Sequence, residues 1–135
     1  MLYETGARYS ELAELQHSNV DLYNRKLTFV DTKNGDDRTI PINERALSIL
    51  KRYRFGKTVF NIDYQKFYEH FCKARHSVEL DYFHAHDLRA CWCTNAILSG
   101  MSLPEVSALS GHKSWSMLRR YTRIKPEDLE EKVNK

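Results

Sequence analysis

The sequence predicts a mainly α-helical chain with one small antiparallel β-sheet, an α+β fold. Two features carry that prediction. Asn, Asp and Ser residues suited to helix N-caps stand ahead of apolar residues that recur at three and four positions. One segment, KLTFVDTKNGDDRTIPI (26–42), instead alternates apolar and polar residues about an Asn-Gly pair, the pattern of a hairpin.

The elements follow in order. Gly6 bends the chain ahead of Arg8-Tyr9-Ser10-Glu11-Leu12, where Leu12 and Leu15 begin a helical stripe. In the hairpin, Leu27 and Phe29 alternate with Thr28 and Val30, Asn34-Gly35 makes the turn, and Thr39, Ile40 and Ile42 lie on the return strand. Asn43 caps a helix carrying Ala46, Leu47, Leu50 and Tyr53, and Thr58-Val59-Phe60 reads as a third short strand. Asp63 caps a helix with Tyr64, Phe67, Tyr68 and Phe71 on one face. That stripe could be a platform for stacked bases, but helical spacing favours core packing, and it is read as core. A further helix runs from about Asp87 to Leu98 and stops near Gly100. Ser102-Leu103-Pro104-Glu105 has the capping-box pattern and opens a short helix ending at Gly111. Ser114 caps the next helix, through Tyr121, and Pro126 opens the last.

A chain of 135 residues with 41% apolar and 29% charged residues can bury a real core, which excludes a disordered tail. No apolar run approaches a membrane span and no secretory leader is visible, so a cytoplasmic address is expected. The net charge of +3 is mild, but its distribution is uneven. Five Lys or Arg residues and no acid lie between His112 and Lys125, and Lys51, Arg52, Arg54 and Lys57 form a second basic patch. Such surface suits a phosphate backbone, and equally an ordinary solvated face. Three cysteines, Cys72, Cys91 and Cys93, imply no disulfide framework.

Several polar residues stand at suggestive positions. His86 and Arg89 are three apart and share a helix face. His112 follows the glycine that ends a short helix, Tyr121 follows nine residues later, Arg8 follows a Thr-Gly bend, and Lys33 sits beside the hairpin turn. The combination TGARYSEL, TKNGDDRTIP, HDLR, and SGH with a tyrosine nine residues on resembles the tyrosine recombinases, or phage integrases, across essentially the whole chain.

The resemblance implies a fold and an activity: the catalytic domain of a site-specific DNA recombinase, which cleaves and rejoins strands by transesterification. Tyr121 matches the nucleophile, which attacks a backbone phosphate, forms a 3′-phosphotyrosyl link and frees a 5′-hydroxyl. Arg8 and Arg89 match the pair gripping the scissile phosphate, and Glu11 would hold Arg8 in place. His112 matches a hydrogen-bond donor to that phosphate, His86 a group helping to deprotonate the tyrosine, and Lys33 the acid that protonates the leaving 5′ oxygen. No metal, nucleotide or other cofactor is implied. The implied partner is double-stranded DNA at recombination sites, bound by a synaptic homo-tetramer, with the acidic tail from Lys125 to Lys135 docking on a neighbouring subunit. Off DNA the chain is expected to be monomeric, and no membrane is involved.

Two departures stand out. Residues 1–135 would form one catalytic domain, lacking the family's N-terminal DNA-clamping domain and the first helices of the catalytic domain. Ala90-Cys91-Trp92 stands where the family commonly has His-Thr-Phe, and SGH where Leu-Gly-His is commoner. Leu88, Cys91 and Trp92 are expected to form the buried stripe of their helix, leaving His84 and Cys93 without a task. Two other readings stay open: a DNA-binding remnant that no longer turns over, and a zinc module using His84, His86, Cys91 and Cys93. Against zinc, side chains at these spacings diverge along one continuous helix.

Overall fold

The structure, a computed structural model, describes residues 1–30, 36–121 and 125–135, and for Arg120 the backbone alone. Lys33 and the Asn34-Gly35 turn therefore lie outside the described residues. Two short helices open the chain, α1 (Leu2–Thr5) and α2 (Tyr9–Ala13), with Gly6 between them in the left-handed region at φ 65°. Three antiparallel strands follow, β1 (Val20–Asp21), β2 (Lys26–Phe29) and β3 (Arg38–Pro41), in that spatial order. Leu27 pairs with Ile40 and Thr28 with Thr39, so the alternation predicted for the hairpin puts Leu27, Phe29 and Ile40 in the core. Thr28 and Thr39 bridge their hydroxyls at 2.9 Å on the open face.

The third strand is β1, not Thr58-Val59-Phe60. Val59 is buried, but its N–H donates to the carbonyl of Leu15 at 2.9 Å, outside any strand. One apolar residue in a short run marks burial without fixing backbone conformation.

The remaining α-helices are α3 (Glu44–Leu50), α4 (Tyr64–Ser77), α5 (Ala85–Leu98), α6 (Leu103–Ser110), α7 (Trp115–Leu118) and, at the end, α8 (Glu130–Val133). Predicted caps form on three of them. The side chains of Asn43 and Asp63 each accept an N–H at 2.8 Å, and Ser102 with Glu105 closes a capping box. Ser114 makes no such cap, and its helix gives way at Arg119–Tyr121 to a single 3-10 turn. Tyr53 lies beyond the end of α3 and is exposed.

The aromatic face of α4 is not core, contrary to expectation. The helix buries no residue completely; Tyr64 is 61% exposed and Tyr68 46%. Its aromatics stack along the helix, and Tyr9 covers part of the row, with its ring 4.6 Å from that of Phe67. The spacing did produce one apolar face, but too little chain packs over it to exclude water.

Two apolar clusters result. One gathers β2, β3, α3 and the residues around Leu12 and Leu15; the other gathers Cys93, Ala96 and Ile97 of α5 with Val106 and Leu118. Among the described residues no helix is long and apolar enough to cross a membrane.

Candidate active site

Arg89 occupies the seam between these two clusters, and it sets the orientation of α5. Only 1% exposed, it shares its inward face with Cys93, Ala96 and Ile97, at spacings of four, seven and eight. The expected buried stripe of Leu88, Cys91 and Trp92 is therefore corrected: all three are only half-buried. The reason is that the guanidinium finds partners inside. Its Nη1 donates to the carbonyl of Gly6 at 2.6 Å and to that of Ser110 at 2.7 Å, tying the α1–α2 bend to the end of α6. Its Nη2 lies 3.2 Å from His112 Nδ1, and its Nε is buried with no hydrogen-bond partner. Trp92 packs instead over Gly6, where a Cβ would lie 2.4 Å from its ring.

His112 follows directly from the way α6 ends. Gly111 turns the chain at φ 79°, and a Cβ there would lie 2.2 Å from a guanidinium nitrogen of Arg38, so any other residue would be strained in its backbone and would displace Arg38. His112 is 6% exposed. The hydroxyl of Ser107 donates to its carbonyl, and Ser110 Oγ lies 2.6 Å from its Nδ1. Burial above all, then the charges of Arg89, Arg8, His86 and Arg38, push its pKa down to about 4, so the ring is neutral at pH 7. The ring of Tyr121 packs edge-on against it, centroids 5.6 Å apart. Tyr121 lies in the 3-10 turn, against the second cluster, and its carbonyl accepts from the Thr94 hydroxyl at 2.9 Å.

Arg8, His86 and Arg89 line one pocket of about 60 Å3. That is room for several waters at roughly 15 Å3 apiece, and so for a small anion but not a nucleoside. Arg8 N–H donates to Glu11 Oε2 at 2.8 Å, while its half-exposed guanidinium stands 3.5 Å from Glu11 Oε1. Burial and then the charge of Arg8 lower the pKa of Arg89 to about 10, so it remains cationic at neutral pH. Lys33 lies outside the described residues.

Two residues bordering the site were not singled out from the sequence. Arg38 forks onto both carboxylate oxygens of Glu11, at 2.8 and 2.9 Å, while its guanidinium covers the ring of Phe29. Burial resists ionisation of Glu11, but the hydrogen bonds and charges of Arg38 and Arg8 more than offset it, holding the carboxyl below its usual range. The alternation that places Ile40 inside also places Arg38 inside, a signal available in the hairpin. Ser110, fully buried, was visible only as a departure from the family pattern.

Among the described residues no three His, Cys, Asp or Glu side chains gather as a metal site. Cys93 points into the core, where burial raises its thiol pKa, and the N–H of His84 is taken by Asp87 at the start of α5.

Comparison with known proteins supplies independent observations. The model of the phage integrase family matches residues 1–128. The chain is 29% identical over 134 residues to the shufflon-specific DNA recombinase of Escherichia coli, covering 97% of this chain and 35% of that protein. It is 31% identical over 129 residues to the integrase of Haemophilus phage HP1, covering 96% and 37% respectively. Its fold is similar to that in the crystal structure of XerA recombinase, with a TM-score of 0.82 at 20% identity over 98% of this chain and 54% of that one. The chain thus spans little more than a third of the length of these two curated relatives.

Proposed function

The chain belongs to the phage integrase family, and from that premise we propose that it is the catalytic domain of a site-specific DNA recombinase, cutting and rejoining duplex DNA through Tyr121. The observation that carries the proposal is the pocket shared by Arg8, His86 and Arg89, next to a neutral His112 on which the ring of Tyr121 packs. Three guanidiniums, those of Arg8, Arg38 and Arg89, converge there with the carboxylate of Glu11, so the local field is positive. A buried Nε–H without a partner is costly unless a ligand accepts it, and a phosphate oxygen is a suitable acceptor.

In the proposed reaction the Tyr121 oxygen attacks phosphorus while the bond to the 5′ oxygen breaks. Arg8 and Arg89 meet the charge that builds on the nonbridging oxygens, and His112 donates a further hydrogen bond. His86, at the exposed mouth of the pocket, takes the tyrosine proton, and Lys33 delivers one to the departing 5′ oxygen. The 3′-phosphotyrosyl link conserves the bond energy, so the free 5′-hydroxyl reverses the step without a nucleotide. As the family resemblance implies, the working unit would be a tetramer on paired sites. Leu129 and Val133, exposed in the tail, would dock on a neighbour.

The test uses nicked duplexes tiling the chain's own gene and its flanks, built so that the fragment carrying the 5′-hydroxyl diffuses away after cleavage. The expected result is a protein–DNA band on a denaturing gel, absent with Tyr121→Phe. DNA binding with no band from any duplex would favour the non-cleaving remnant.

A further inference from the structure

Ser110 reaches both Arg89, which lines the pocket, and His112 behind it. Its carbonyl accepts from Arg89 Nη1 at 2.7 Å, and its hydroxyl oxygen lies 2.6 Å from His112 Nδ1. The side chain is completely buried, so its proton must find an acceptor inside the protein. The oxygen also stands 3.4 Å from the backbone nitrogen of His112, and the thiol of Cys93 is near enough for the hydroxyl to favour its ionised form. Nδ1 is the close acceptor. A neutral imidazole carries one N–H and one lone pair. With the proton on Nδ1, the hydroxyl proton of Ser110 would be left only the sulfur of Cys93, a weak acceptor, in a dry site. With the lone pair on Nδ1, the hydroxyl is satisfied and Nε2 carries the N–H.

Arg89 does not make this choice as sharply. Its Nη2 lies 3.2 Å from Nδ1 and 3.4 Å from Nε2, almost midway, and a guanidinium donates to whichever nitrogen has the lone pair. We propose that Ser110 is a positioning residue that fixes His112 as its Nε2–H tautomer, keeping the ring's single N–H for an oxygen of the bound phosphate. The inference rests on the recombinase reading for its purpose, though not for its chemistry. Neutrality of the ring, enforced by burial and the surrounding cations, is what makes the tautomer matter, since a protonated ring would donate from both nitrogens.

The test has two arms. In the first, ring-15N-labelled protein is studied by long-range proton–nitrogen correlation NMR at pH 7, with the His112 signals identified by their loss in His112→Gln. The expected result is Nε2–H in the wild type and a mixed population in Ser110→Ala. An Nδ1–H ring in the wild type, or a tautomer unchanged by Ser110→Ala, overturns the proposal. The wild-type spectrum alone is decisive if the variant does not fold. In the second arm, single-turnover cleavage of the nicked duplexes is expected to slow about tenfold in Ser110→Ala, with DNA affinity kept. The loss should vanish in a His112→Gln background, because both changes act through one group. Equal losses in both backgrounds contradict the proposal. If the wild-type chain leaves every duplex uncut, the recombinase reading fails while the NMR arm still decides the tautomer.

Discussion

Under the proposed function, Arg89 would divide its guanidinium between structure and ligand. Nη1 is committed to the carbonyls of Gly6 and Ser110, Nη2 lies beside the His112 ring, and Nε has no partner in the protein, which in the proposed reading is left for a phosphate oxygen. A lysine would bring one point charge with no planar fork, and could not serve both carbonyls and a phosphate. Arg89→Lys is therefore expected to slow covalent-adduct formation about 10²- to 10³-fold while the charge is retained, read as single-turnover rates. Arg89→Ala should also unfold more easily, because the Gly6 and Ser110 carbonyls lose a buried donor worth roughly 1–3 kcal/mol each. A urea midpoint equal to wild type would show that the guanidinium is not the staple described. Arg8, half-exposed and held at its backbone by Glu11, should behave differently: Arg8→Ala is expected to leave stability nearly unchanged.

At the scale of elements, the turn ending α6 is tightly constrained. Gly111 has both a left-handed backbone and Arg38 where a Cβ would stand. Gly111→Ala is therefore expected to destabilise by more than about 1 kcal/mol in urea unfolding, and to displace His112 as well. A variant as stable and active as wild type would mean that Arg38 can swing aside. Elements whose signal is local were legible in the sequence: the caps at Asn43, Asp63 and Ser102 concern four residues each, and the β2–β3 alternation is fixed by period two. What failed was non-local. The spacing of the α4 aromatics predicts core, but spacing reports a face, not whether another element covers it. The inward side of α5 differs from the apolar stripe that the sequence predicts because two distant carbonyls make Arg89 a buried residue. Of the proposed site, His86, Arg89, His112 and Tyr121 come from motifs whose spacing resembles the recombinase family, whereas the contacts of Ser110 and Arg38 are ones that spacing does not encode.

For the whole molecule, charge sets the conditions of stability and binding. His112 has a folded pKa of about 4 against an ordinary 6.5, so below 6.5 the unfolded chain takes up a proton that the folded chain refuses. Stability is thus expected to fall as pH drops from 6.5 to about 4, with no further loss from this group below that, and thermal melts should show a flatter slope for His112→Gln. DNA affinity should fall with salt, and Arg8→Ala should reduce the slope of log affinity against log salt by about one phosphate contact. An unchanged slope would place Arg8 away from the backbone.

The central claim is that one side chain, Tyr121, becomes joined to DNA. Trypsin digestion of a trapped adduct, followed by mass spectrometry, reads this directly. Cleavage after Arg120 and Arg123 should leave the nucleotide on the tripeptide Tyr121-Thr122-Arg123. A nucleotide found on any other of the eight tyrosines, or on a serine, would contradict the account.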